Sequence, residues 1–167
     1  AVLSQLLLIG LVSTGASGGT CTLRTMEAEA PGSAAGSLGS SVASRGNIVI
    51  AGAPYSSAGG FESGGAFVYR IEQHTLAFVE ALVAVGVGSG DHFGFAVATD
   101  GALIAVGSPD DSGTASSSGS ARVFREVSDA WVSDPVVFGP MPATSDRFGA
   151  AVAIGGDMLL VGAPSRG

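Results

Sequence analysis

Asp110-Asp111, in the stretch SPDDSG, sets two carboxylates side by side. Carboxylate oxygens ligate hard cations, but calcium takes about six to eight oxygens. The pair is therefore a weak metal candidate, and the simpler reading is a turn cap facing water. Asp91-His92, in GDHFG, places a carboxylate beside an imidazole, groups that general acid–base catalysis employs. The other histidine, His74, lies at an unrelated position, and serine is too abundant for a Ser near a His to mark a nucleophile. GVGSGDHFG (86–94) has the wrong spacing for G-x-G-x-x-G, and no helical pattern follows it to receive a phosphate. H-E-x-x-H and C-x-x-C are absent, and the single Cys21 rules out an intrachain disulfide and an all-cysteine metal site. No catalytic residue and no cofactor follow from this inventory. Two aromatics remain as candidate partner contacts: Tyr55, on a loop, and Trp131, whose simpler role is packing along a sheet edge.

The elements that hold these residues repeat. FGFAVATDGALIAVGSPD (93–110) returns 55 residues later as FGAAVAIGGDMLLVGAP (148–164), and appears 55 residues earlier, more worn, as LGSSVASRGNIVIAGAP (38–54). In that register Leu38, Phe93 and Phe148 align, as do Gly39, Gly94 and Gly149, then Gly52, Gly107 and Gly162, then Pro54, Pro109 and Pro164. The same shift lays SGGAFVYR (63–70) on SGSARVFR (118–125) without a gap.

Each unit reads as four strands. The first (39–44, 94–99, 149–154) is built of small residues, which let another backbone pass close by. Tight turns at Arg45-Gly46-Asn47, Asp100-Gly101 and Gly155-Gly156-Asp157 supply positive φ. The second strand, NIVIAG, ALIAVG or MLLVG, is an apolar run suited to cover on both faces. A Gly/Ser loop (55–64, 110–119) leads to a third strand ending on Arg70 or Arg125, each placed to pair with a nearby acid. A weaker fourth lies at 76–84 or 131–138. Asp91 and Asp146 share an offset just before the first strand, where a carboxylate accepts turn N–H groups. Helical periodicity is absent. Four antiparallel strands per unit, repeated, predict propeller blades that must stack on neighbours.

F-G-x-x-V-A followed by V-G-A-P resembles the FG-GAP repeats of integrin-type β-propellers. It resembles still more the shorter secreted or cell-surface variety, in which an S-G-x-A-Y-V-F strand follows the proline. The resemblance rests on Phe93-Gly94, Val97-Ala98, Gly107-Ser108-Pro109 and Ser118-Gly119 to Phe124, then on Phe148-Gly149 and Gly162-Ala163-Pro164, and it covers roughly 38–167. It implies an all-β fold of about three four-stranded blades, a partial propeller or part of an oligomeric ring. Integrin-type relatives carry calcium between the first two strands on a D-x-[DN]-x-[DN]-G loop. ASRGN, ATDGA and AIGGD stand there instead, with one acid each at most, so no metal is expected. The family serves adhesion, ligand recognition and scaffolding, so the resemblance is specific for fold and not for function.

The expected organisation is an N-terminal segment, 1–37, completing a blade, then blades at 38–92 and 93–147 and the first half of a third at 148–167. LLLIGLV (6–12) also resembles the apolar part of a signal peptide, with 1–17 leader-like, although no positive residue precedes it. It is too short to span a bilayer, and no transmembrane segment is expected. Ring closure would set residues 1–35 beside the third unit and bury Leu6, Leu8 and Val12. A net charge of −7, with seven Arg, no Lys and fourteen acids, opposes nucleic-acid binding. The function expected is a non-catalytic extracellular or cell-surface structural or protein-interaction module, its partners other proteins, further blades or copies of itself. The alternative is a propeller domain that recognises a carbohydrate or peptide, with a glycan as partner; a hydrolase is a distant third.

Overall fold

The computed structural model describes residues 5–13, 21–29, 36–57, 59–73, 75–82 and 84–166. In the first two segments it gives the backbone course and, of the side chains, Ala28 alone. His74 and the side chains of Leu6, Leu8, Val12 and Cys21 lie outside the described residues.

The described residues form twelve strands: β1 (Gln5–Ser13), β2 (Cys21–Glu29), β3 (Ser41–Arg45), β4 (Ile48–Gly52), β5 (Ala66–Glu72), β6 (Thr75–Leu82), β7 (Ala96–Thr99), β8 (Leu103–Ser108), β9 (Ser120–Val127), β10 (Ala130–Ser133), β11 (Ala151–Gly155) and β12 (Met158–Gly162). They make two four-stranded antiparallel sheets, β3-β4-β5-β6 and β7-β8-β9-β10, and two half-sheets, β1-β2 and β11-β12. The architecture is all-β and propeller-like, with sheets that match partial blades.

Alternation explains how the layers stack, because successive side chains of a strand leave on opposite faces. Ile48, Ile50, Ala66 and Val68 on one face of the first sheet meet Ile104, Val106, Phe124 and Trp131 of the second. Val49, Ala51, Phe67 and Tyr69, one residue out of phase, pack on the opposite face with Ala28 of β2. The apolar run of β4 is thus buried throughout because both of its faces are covered. Along the inner edge the first strands of successive units lie side by side, β3 against β7 and β7 against β11.

Two features depart from the sequence reading. The fourth strand of the second sheet ends at Ser133 rather than running to 138. Pro135 has no N–H for the ladder, so pairing stops and resumes only as an isolated Ala121–Val137 bridge. Nor does the N-terminal segment pair with the third unit within the chain: among the described residues β1 pairs with β2 and β11 with β12, with no strand bridging the two. The half-sheets lie on opposite sides of the stack, β2 against β6 and β11 against β7 and β8.

Candidate functional site

The repeated residues converge where one unit hands over to the next. The Phe93 N–H donates to the Ser63 carbonyl at 2.9 Å, and the Phe148 N–H to Ser118 at the same distance. These contacts belong to parallel bridges, Gly64 to Phe93 and Gly119 to Phe148. The Gly94 N–H reaches the Gly107 carbonyl at 3.1 Å, and Gly149 reaches Gly162 at 3.0 Å. Gly94 and Gly149 adopt φ of +89° and +96°, and a Cβ on either would strike a carbonyl of the preceding unit, Gly65 or Ser120. Their own carbonyls press on Gly52 and Gly107, where a side chain would again collide. Glycine recurs here because backbone meets backbone with no room for Cβ. Phe93, Gly94, Gly107 and Pro109 are buried; Phe148 and Gly162 are half-buried, and Pro164 is exposed, though Gly149 is buried.

A second constellation forms at the same handover. Ser37, His92 and Arg147 occupy one register position, just before Leu38, Phe93 and Phe148, and all three have left-handed backbone, φ +60°, +54° and +56°. That conformation costs a non-glycine residue about 1–2 kcal/mol. Here it closes a turn in which the carbonyls of Ser37, His92 and Arg147 accept from Ser40, Phe95 and Ala150, each at 3.1 Å. The side chains differ. The His92 ring meets Tyr55 edge-on at 5.0 Å, and its Nδ1 lies 2.7 Å from Asp110 Oδ2, so Nδ1–H donates to the acceptor-only carboxylate. Its Nε2 is 3.7 Å from Glu62 Oε2. Arg147 holds Asp110 from the other side, Nε 3.3 Å from Oδ1 and Nη2 3.4 Å from Oδ2, with its guanidinium 5.7 Å from the Phe95 ring centre. Tyr55 and Asp110 share a register position too, so one handover uses Tyr55 with His92 and the next uses Asp110 with Arg147.

Both residues of the acid pair are therefore engaged. Asp111, buried, accepts from Gly113 N–H at 2.7 Å and Ser120 Oγ at 2.5 Å. No group of three or more His, Cys, Asp or Glu side chains that could hold a metal occurs among the described residues. At the hairpin turn of the second unit, Asp100 Oδ1 accepts from the N–H groups of Ala102 and Leu103, at 3.0 and 2.8 Å. Those two bonds hold the Asp100 carboxyl below the usual carboxylate range.

Asp91 and Asp146 accept turn N–H groups, from Gly88 at 2.5 Å and Ala143 at 2.8 Å. Burial pushes Asp91 upward, against the pull of the Gly88 bond. Gly36 stands at their position in the first unit. Trp131 is buried between the sheets, and its backbone N–H donates to Glu80 Oε2 of the first sheet at 3.0 Å; Tyr55 is exposed. The His92–Asp110–Arg147 chain escaped the sequence reading, which set His92 beside Asp91. Its signal was available, since His92 aligns with Arg147 and Tyr55 with Asp110.

The chain matches the FG-GAP repeat family over residues 77–124 and 142–167. No curated protein matches the chain. No helix among the described residues is long and apolar enough to cross a membrane.

Proposed function

We propose that the chain is a non-catalytic structural or protein-interaction module that works outside the cell or on its surface. One observation carries this: the signature residues are consumed by backbone contacts between successive units. Phe93, Gly94, Gly107 and their counterparts fix unit to unit. The loop rim exposes aromatic side chains, Tyr55, Phe61 and Phe95. A rigid stack presenting variable loops is a scaffold for contacts, with function placed on the loops.

That rim favours a second reading, recognition of a carbohydrate or peptide. Tyr55, His92, Asp110, Arg147 and Phe95 form a continuous set of aromatic and charged groups there, able to stack a sugar ring or clamp a peptide. Binding of the immobilised chain to glycan and peptide panels separates the two. Glycan or peptide binding that is lost in Tyr55→Ala with the fold intact establishes recognition; no binding to either panel leaves the structural module. Protease accessibility on intact cells tests the location, and full protection would overturn it.

A further inference from the structure

Between the loop 59–65, the ends of β5 and β6 and the turn that leads to Phe93 lies a cavity of about 220 Å³. Its floor is closed, with Ala66, Leu82 and Phe93 each no more than 2% exposed. The buried Phe67 ring curls back over Gly65, 3.2 Å from where a Cβ of Gly65 would stand, and walls one side. Gly59 and Gly86, both exposed, line the cavity where it meets solvent, and neither puts a side chain in the way.

This lining offers a ligand apolar contact and little else. Its described residues carry no ionisable side chain. The N–H of Gly59 is spent on Ser63 Oγ, and those of Gly64, Gly65, Val87 and Phe93 on the carbonyls of Ser56, Ala53, Ala84 and Ser63. An apolar cavity of about 150 Å³ stays dry and takes up benzene. Sites for larger, drug-sized ligands run from about 300 to 1,000 Å³. The size and chemistry of this cavity therefore suit a single uncharged ring.

The second unit shows what kind of ring the fold accommodates there. Its outer segment keeps the register, Val137 bridging Ala121 as Leu82 pairs with Ala66. The next residue, Phe138, sets its ring against the loop 110–119, 3.3 Å from where a Cβ of Gly113 would stand. That loop is the counterpart of the one lining the cavity, and Gly113 adjoins Thr114, the counterpart of Gly59. The sequence writes Val83 at the register position of Phe138. One unit thus places its own aromatic ring between loop and outer segment, and the other holds a cavity between the same two elements.

We propose that the cavity of the first unit is a binding site for one uncharged aromatic ring, which enters past Gly59 and Gly86 and packs against Phe67 and Phe93. Aromatic rings meet such neighbours edge-on or offset, which favours an aromatic over an aliphatic ring of the same size. The site shares no residue with the rim set of Tyr55, His92, Asp110 and Arg147, so the two stand or fall separately.

Thermal melts of the full chain with benzene, and fluorine NMR with fluorobenzene, test the site. A ligand that binds only the folded state stabilises it, and a rise in Tm of roughly 3–6 °C is expected at ten times Kd. Val87→Phe and Ala84→Leu each add bulk to the lining, and each is expected to abolish the shift and the fluorobenzene line broadening. Val85→Phe, at a neighbour that is 89% exposed and outside the lining, should keep both. Should one lining variant fail to fold, the other carries the comparison. An acetylated and amidated Gly-Phe-Gly peptide identifies the source of the ring. Displacement of fluorobenzene at lower concentration than benzene requires assigns the ring to a polypeptide partner, and weaker displacement assigns it to a free small molecule. No shift with benzene, a shift that survives in the folded lining variants, or an equal shift with cyclohexane overturns the proposal.

Discussion

The two handovers, first sheet to second and second sheet to third unit, share one backbone and differ in their side chains. In both, a Phe-Gly pair docks on the entry to the preceding third strand and a glycine carbonyl presses on the preceding Gly-x-Pro. At the first, Phe93 is fully buried and meets Phe124 edge-on at 6.1 Å. At the second, Phe148 is half-buried, and among the described residues β12 pairs with β11 alone. The backbone lock therefore forms from two strands alone, whereas the apolar core needs all four. The repeat encodes docking and packing separately.

The largest effect expected from that separation is at the phenylalanines. Phe93→Ala should cost about 3–5 kcal/mol, the range for emptying a closed aromatic site. Phe148→Ala should cost only about 1–2 kcal/mol, because its transfer from water is incomplete. Urea unfolding monitored by circular dichroism gives both values, and equal costs would erase the distinction between the handovers.

Next in size are the glycines under the carbonyls. Gly52→Ala and Gly107→Ala each force a Cβ onto a neighbouring carbonyl, of Gly94 and Gly149. Overpacking of this kind costs about 1–3 kcal/mol. Gly52→Ala should fall at the upper end, since full sheets clamp that contact, and Gly107→Ala at the lower end, since β11–β12 can shift. The reverse order in thermal melts would mean that the third unit is the more tightly held.

Much of this was legible in the sequence because the repeat speaks in one register. Phe93, Gly94, Gly107 and Pro109 announced the hairpins, and the run LIAVG announced a strand covered on both faces. Composition did not announce the left-handed backbone at Ser37, His92 and Arg147, since none of these types signals positive φ as glycine does. Nor did chain proximity reveal the partner of His92, which is Asp110, eighteen positions away, rather than its neighbour Asp91. Pro135 was visible, yet the fourth strand read through it to 138, because an apolar run carries no mark of which N–H the ladder will need. At the N-terminus, an apolar run between small residues suits a strand and a leader equally, so periodicity alone left both open.

Two aspartates extend the comparison to pH. Asp91, before the first strand of the second sheet, has its carboxyl raised by burial, so the folded state binds that proton more tightly than the unfolded chain. Its contribution favours folding fully below the unfolded value and is lost as pH rises through the raised folded value. Asp100, on the hairpin turn of the same unit, is lowered by its bonds to Leu103 and Ala102, so its contribution is present above the unfolded value and is lost as pH falls through the folded one. Relative to wild type, Asp91→Asn should therefore gain stability between pH 3 and pH 7, and Asp100→Asn should lose it. Denaturant midpoints at the two pH values settle the signs, and parallel trends would refute the assignment.

The smallest effect separates the two arginines that end the third strands. Arg70 and Arg125 share a register position, yet Arg70 Nη2 reaches across to Glu126 Oε1 on the second sheet at 3.0 Å, while Arg125 turns to Asp134 within its own. Arg70 has the third strand of the next sheet, β9, within reach, and no third strand follows β9 among the described residues. Both pairs are partly exposed, so each should contribute only about 0–1 kcal/mol, less in high salt. Double-mutant cycles on Arg70/Glu126 and Arg125/Asp134 should return couplings in that range. A coupling well above about 1 kcal/mol for Arg70 and Glu126, persisting in high salt, would show that this ion pair helps dock the first sheet on the second, a task assigned here to the glycine backbone contacts and the apolar core.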